Sequence, residues 1–341
     1  MSASPIAIKS TGLVTSVGLS APASCAAIRA KISNPTETRF IDSSGEWIMA
    51  HEVALEQPWR GRTKLCKMAT MAIAECLEGV PHEEWGSLPL LLCVAEKERC
   101  GRVDGLDDRL FLEIQEELGS RFAPESAIVA HGRASVAIAL AQARKLIAKG
   151  NRLQVLIAAT DSLLAWPTLS VYERDNRLLT ARNSNGFMPG EGAGALLVGQ
   201  PAGRGELRCS GFGFALEKAH IDSGEPLRAD GLSTAIKCAL AEAGCTLHDL
   251  DYRITDISGE QYYFKEAALA LSRLLRERKE EFDLWHPAES IGEVGAAAGV
   301  AALSVAGTAG NKAYAPGPGI LVHLANDAGL RVAAVLNFWG A

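Results

Sequence analysis

Two hydrophobic rhythms alternate along this chain, one of extended segments and one of helices. Apolar residues at 6–8 and 11–15 predict a short strand and turn ending at Gly18, after which Ser20 or Ser24 opens a helix reaching about Ile32. Over 64–77, Cys66, Ala69, Ile73 and Cys76 recur at helical spacing. Residues 88–95 are apolar with no polar alternation, the pattern of a strand buried on both faces. A short strand over 126–130 is broken at His131-Gly132, and an alanine-rich helix follows over 135–149, closed by Gly150. Strands are predicted at 154–160 and, after a glycine-rich hairpin, at 196–198.

The second part of the chain repeats this plan. Strands are predicted at 209–214, 251–257, 319–324 and 332–336, and helices at 232–243, 266–277 and 295–308. The charged stretch 276–281 reads as a solvated helix end. Alternation of strand and helix predicts an α/β protein whose helices cover a mixed sheet. Two similarly organised halves meeting near residue 200 point to an internal pseudo-repeat, with an N-terminal unit over 1–200 and a C-terminal unit over 201–341.

Composition narrows the function classes. The 33 glycines and runs such as Ala296-Ala297-Ala298 predict helices and sheets in close approach. With 40 acidic against 34 basic residues, a net charge of -6, and no basic cluster, a nucleic-acid partner is not expected. The eight cysteines, at 25, 66, 76, 93, 100, 209, 238 and 245, include no Cys-x-x-Cys pair, and several lie in apolar runs. They read as free thiols of a reducing, cytoplasmic compartment. Residues 1–9 lack an apolar stretch behind a basic segment, so no signal peptide is expected. The 88–95 run is too short for a bilayer, and no membrane association is expected. His51, His82, His220, His248 and His286 are isolated, with no metal-ligand spacing. Gly190–Gly194 lacks the lysine of a phosphate-binding loop and reads as a packing motif, so neither metal nor cofactor is expected.

Three segments carry a family resemblance. The stretch from Ile8 to Gly18 resembles the opening strand and Gly-Val-Val-Thr-Pro-x-Gly turn of the β-ketoacyl-acyl-carrier-protein synthases of the thiolase superfamily. Asn185-Gly186-Phe187-Met188-Pro189-Gly190-Glu191-Gly192-Ala193-Gly194 is similar to that family's Asp-Gly-Phe-x-x-Gly-Glu-Gly-Ala-Gly segment. Gly292-Glu293-Val294-Gly295-Ala296-Ala297-Ala298-Gly299 is similar to its Gly-His-x-x-Gly-Ala-Ala-Gly segment. The three occur in the family's order. The resemblance implies a thiolase-like fold of two pseudo-symmetric halves in five layers, α-β-α-β-α. It also implies a dimer formed through a central strand and adjoining loops.

The departures from the family pattern fall on its chemistry. Condensation needs a thiolate to carry the acyl chain and imidazoles to assist decarboxylation and stabilise the enolate. In the stretch matching the family's nucleophile segment, Ala130-His131-Gly132-Arg133-Ala134-Ser135, His131 stands where the cysteine is expected, and no cysteine lies within thirty residues. Asp256 is the best match to the first family histidine, within about three positions, and Glu293 matches the second. Glu266 matches a supporting acid of the later loop, Ala288 replaces a lysine, and the glycine-phenylalanine loop near the C-terminus becomes Ala315-Pro316-Gly317-Pro318-Gly319. Standard synthase activity is therefore not expected.

Three readings stay open on these residues. In one, His131 pairs with an acid inside a former active-site cavity and holds the core together. In another, the chain binds an acyl chain, an acyl-carrier protein or a synthase subunit, as homodimer or heterodimer, in fatty-acid or polyketide-type metabolism. In the third, an acyltransferase or thioester hydrolase uses His131 as base with Glu293 and Asp256, and Ser258 or Ser135 as nucleophile. Arg133, at a helix N-terminus, is placed either to meet a substrate anion or to pair with one of the acids. Ser258 is the other substrate-binding candidate. Trp166 and Tyr172 read as packing aromatics or as lining of an acyl tunnel.

Overall fold

The computed structural model describes residues 4–150 and 152–340. Residues 1–3 of the segment read for a targeting signal lie outside them. In chain order the first elements are β1 (Ile6–Val14), α1 (Ala21–Arg29), β2 (Thr36–Ile41), β3 (Trp47–Ala50), α2 (Gly61–Cys76) and β4 (Leu90–Val94). There follow α3 (Arg109–Leu118), β5 (Ala127–Ala130), α4 (Ser135–Ala148), β6 (Gln154–Ser162), α5 (Trp166–Arg174) and β7 (Glu191–Gly199). The second run comprises β8 (Glu206–Leu216), α6 (Asp230–Ala243), β9 (Tyr252–Thr255), α7 (Gln261–Leu274), β10 (Leu284–Trp285), α8 (Ala288–Ile291), α9 (Ala298–Asn311), β11 (Gly319–Ala325) and β12 (Leu330–Trp339).

Ten strands form one mixed sheet in the order β10-β9-β11-β12-β8-β1-β7-β6-β4-β5. Within each run of five, the third, second, fourth, fifth and first strands lie side by side, and the fifth is antiparallel to both neighbours. The two runs join where β1 meets β8, with Ile6 opposite Cys209 and Ile8 opposite Leu207. Both runs cover the same central pair of helices. Helix α4 touches β4, β5, β6, β7 and β12, while α9 touches β1, β7, β8, β9 and β11. Helices α2 and α3 pack outside the first run, and α6 and α7 outside the second. The result is a five-layer, thiolase-like α/β arrangement.

Small residues make this packing feasible. Helix α9 (AGVAALSVAGTAGN) is buried along most of its length, which only short side chains permit between the two halves of the sheet. The expected glycine-rich hairpin is instead the start of β7. A Cβ at Gly194 would stand 2.4 Å from Val300 Cγ1, so glycine lets α9 press against the sheet.

Other boundaries moved for identifiable reasons. Helix α7 starts five residues earlier than its apolar spacing predicts, because Tyr263, Glu266, Ala267 and Ala270 share its buried face and Glu266 is neutralised there by Arg331. The charged stretch 276–281 lies beyond that helix. Helix α3 went unread, although Leu110 and Ile114 are buried at i, i+4 between an Asp108 N-cap and a left-handed Gly119.

Candidate functional site

Helices α4 and α9 begin side by side in the interior. Each is entered through a three-residue 3-10 turn, Gly132–Ala134 and Gly295–Ala297. The opening glycines have φ of +54° and +55°, and a Cβ at either would lie 2.0 Å from an acid oxygen, Glu96 Oε2 at Gly132 and Asp161 Oδ2 at Gly295. Conformation and space both demand glycine there. Arg99 bridges the two acids, with Nη2 2.7 Å from Glu96 Oε2 and Nη1 2.8 Å from Asp161 Oδ1. Asp161 also accepts the Ala296 N–H at 2.8 Å, where the helix dipole favours an anion.

His131 lies immediately before the α4 entry turn. Its N–H donates to Ser135 Oγ at 2.9 Å, but the residue is exposed and its imidazole has no partner among the described residues. It does not meet Glu293 or Asp256, so the base-with-acid pairing read from the sequence is not formed. The physical reason is that Arg133, two residues on, occupies the interior and satisfies those acids itself.

The Arg133 guanidinium is buried among three carboxylates. Its Nη1 lies 3.3 Å from Glu293 Oε2 and 3.6 Å from Asp256 Oδ2, and its Nη2 lies 2.7 Å from Asp327 Oδ1. Nη2 also donates to the Tyr263 hydroxyl at 2.8 Å, which in turn donates to Asp327 Oδ1 at 2.6 Å. The Tyr263 ring lies under the guanidinium, 4.7 Å from centroid to Cζ. Arg177 braces the far side, bidentate to Glu260 at 2.7 and 2.9 Å and 2.8 Å from Asp327 Oδ2. Ser258 Oγ donates to Glu293 Oε2 at 2.9 Å, while Glu293 Oε1 accepts the Gly295 N–H at 2.9 Å. Asp256 accepts the Ala325 N–H at 3.0 Å. Arg133, Asp256, Ser258 and Glu293 thus converge, and His131 does not.

Each acid responds to its surroundings differently. Burial raises Glu293 to about 7, with Arg133 pulling the other way and Asp256 adding to the rise. Burial also raises Asp256 and Glu260 against their arginine partners. For Asp327 burial pushes upward too, but Arg133 and Arg177 together overcome it and hold the carboxyl well below the usual range. The space left among these groups is about 10 Å³, room for about one water. Its walls are mostly charged, which is unlike an acyl tunnel. Tyr172 is on that wall and donates to Asp327 Oδ2 at 3.3 Å, whereas Trp166 is half-exposed and stacks on Phe40 away from it.

Other matched positions have structural partners. Glu266 is bidentate to the fully buried Arg331 at 2.8 and 2.9 Å. Ala288 opens α8, and none of residues 315–319 lines the small cavity. No buried cysteine substitutes for the nucleophile, since a thiolate is the reactive form and burial opposes it. Burial pushes the Cys66 thiol up to about 11 and Cys76 up to about 12, and it raises Cys93 as well. Among the described residues no group of His, Cys, Asp and Glu is arranged to hold a metal ion, and no helix is long and apolar enough to cross a membrane.

The residues missed in the sequence are Arg99, Asp161, Arg177, Glu260, Tyr263 and Asp327. Asp327 carried the most misleading signal, because Asn326-Asp327-Ala328-Gly329 reads as ordinary turn chemistry between two strands.

No family model and no curated protein matches this chain. Solved structures match it across nearly its whole length. The ishigamide ketosynthase/chain length factor has a TM-score of 0.81 at 17% identity, covering 99% of this chain and 100% of that one. A type II polyketide synthase acyl-carrier protein in complex with its ketosynthase bound to the hexaketide has a TM-score of 0.83 at 14% identity, covering 98% and 99%. A ketosynthase in complex with its chain length factor, from Xenorhabdus doucetiae, has a TM-score of 0.77 at 12% identity, covering 98% of each chain. At these identities the likeness establishes the fold. The chain has the thiolase-like fold of ketosynthase and chain-length-factor structures, and its central site does not support standard condensing chemistry.

Proposed function

We propose that this chain is a non-condensing partner subunit of a ketosynthase-type assembly, similar in role to a chain length factor, in polyketide or fatty-acid-type metabolism. One observation carries the reading. The acids at the positions matching the family's histidines, Asp256 and Glu293, are both engaged by Arg133, and the space among them is about 10 Å³, too small for an acyl chain. Two of the matched structures pair a ketosynthase with a chain length factor, and a third holds an acyl-carrier protein against its ketosynthase. Strand β5 ends the sheet, with Ala127 exposed, and offers a backbone edge for such a partner. The carrier protein would then be met by the assembled pair. Of the named candidates, Arg133, Asp256, Glu293 and Ser258 act here as a structural cluster, and His131 as a surface residue.

The test is co-expression with a ketosynthase subunit of the kind that pairs with a chain length factor, followed by native mass spectrometry and product analysis with acyl- and malonyl-carrier protein. The expected result is a heterodimer containing this 36.1 kDa chain, disrupted by Ala127→Glu, and products only from the pair. Condensation by this chain alone, or a stable homodimer indifferent to the ketosynthase, would overturn the reading. Two further points belong to it. All eight cysteines are free, which fits a reducing compartment, and we place the chain in the cytoplasm. The recurrence of one strand order in both runs supports a division near residue 200 into units 1–200 and 201–341.

A further inference from the structure

A second cavity, of about 480 Å³, lies away from the Arg133 cluster, between the C-terminal end of α1, strand β10 and helix α8. Its volume falls in the range of small-molecule sites, roughly 300–1,000 Å³. Its floor is apolar, from Ile28 and Val305. One wall is an aromatic ladder. Trp285 lies nearly parallel to Tyr314 at 6.2 Å, and Tyr252 backs Trp285 at 4.6 Å. The Arg29 guanidinium caps the ladder, 4.0 Å from the Tyr314 centroid.

The polar groups of this cavity are unpaired in a consistent way. The Tyr314 hydroxyl is buried with no hydrogen-bond partner. Ser290, only 2% exposed, lines the cavity, and its hydroxyl makes no hydrogen bond among the described residues. Arg29 has no carboxylate partner among the described residues, and neither does Lys31 at the same mouth. Of the acids there, Glu289 lies 3.3 Å from His286 Nδ1 and Asp283 lies near Arg253, and neither forms an ion pair with Arg29 or Lys31 among the described residues. A guanidinium stacked on a ring keeps its N–H edge free for a bidentate carboxylate, and the ring faces suit a flat apolar body.

We propose that this cavity binds a small planar aromatic carboxylate, its acid group on Arg29, its rings along Trp285 and Tyr314, and a polar substituent reaching Ser290. The Arg133 cluster takes no part in it, so this proposal stands or falls apart from the partner-subunit reading.

The experiment is isothermal titration of the whole chain with 6-hydroxy-2-naphthoate, and with the neutral 6-hydroxymethyl-2-naphthol as control. Saturable one-to-one binding of the acid is expected, at least tenfold tighter than the alcohol. Arg29→Gln, at an exposed position that leaves folding intact, is expected to remove that preference by weakening the acid about tenfold while leaving the alcohol unchanged. Ser290→Ala removes the hydroxyl that meets the polar substituent and is expected to weaken both several-fold. Equal affinity for acid and alcohol, indifference to Arg29→Gln, or no saturable binding of the acid at millimolar concentration would each overturn the proposal.

Discussion

At the start of α9, Gly295 leaves room for Asp161, and the acid two residues before it, Glu293, is held inside. At the start of α4, Gly132 leaves room for Glu96, yet the residue just before it, His131, is exposed, and Arg133 fills the interior. The backbone device is the same and Arg99 ties both ends together, but the side chains held inside, Glu293 and Arg133, have opposite charge. An anion suits the positive end of a helix, and a cation there is disfavoured unless other charges compensate it. Arg133 is compensated by Asp256, Glu293 and Asp327. With Arg177 and Glu260 included, two guanidinium groups face four carboxyls, and burial lifts Glu293 toward neutrality, with neighbouring Asp256 adding to the rise. A helix start that in the synthases serves a nucleophile has here become one half of an internal charge cluster.

The comparison can be broken most severely at Arg133. Arg133→Met leaves the buried carboxyls of Asp256 and Glu293 without their arginine partner and is expected to cost about 3–5 kcal/mol in urea unfolding. Wild-type stability in this variant would mean that the cluster does not hold the helix starts.

The two glycines are expected to separate next. Gly295→Ala places a methyl against the short, stiff Asp161, with Cγ 2.6 Å away, whereas at Gly132 the obstacle is the far end of the flexible Glu96. Losses of about 3 kcal/mol for Gly295→Ala and about 1–2 kcal/mol for Gly132→Ala are expected. Equal losses would erase the asymmetry.

Glu293→Gln sharpens the electrostatic side. A carboxyl raised from 4.5 to about 7 binds its proton more tightly in the folded chain. Its contribution to stability is therefore complete below pH 4.5 and is lost as pH rises through 7. Relative to wild type, Glu293→Gln should be about neutral at pH 4.5 and more stable by on the order of 3 kcal/mol at pH 8. Paired melts across that range check this, and a difference independent of pH would refute the assignment. The smallest effect belongs to His131→Ala, expected within about 0.5 kcal/mol of wild type because an exposed, unpaired side chain is removed. A larger loss would show that His131 has a partner after all.

Much of the fold was legible because its signals are local. Apolar runs without alternation marked the strands buried on both faces, and Ala and Gly spacing marked the helix between the two halves of the sheet. The site was legible only in part. Glu293, Asp256 and Arg133 were found through motif positions, while their partners came from loops and a turn whose polar residues resemble any solvated connection. Arg133 and Asp327 are 194 residues apart, and Arg177 and Glu260 are 83 apart. No spacing rule joins them.

What the sequence by itself determined is the α/β class, the placement of the glycines that let central helices start in tight quarters, and the absence of a cysteine where the resemblance would place the nucleophile. These follow from short-range sterics and from which atoms a residue carries. Tertiary structure alone decided that His131 faces outward and Arg133 inward, because that choice depends on how many acids converge on one buried volume. A charge finds its place by the partners that surround it in space, and those partners are set by the packing of the two halves of the sheet on α4 and α9.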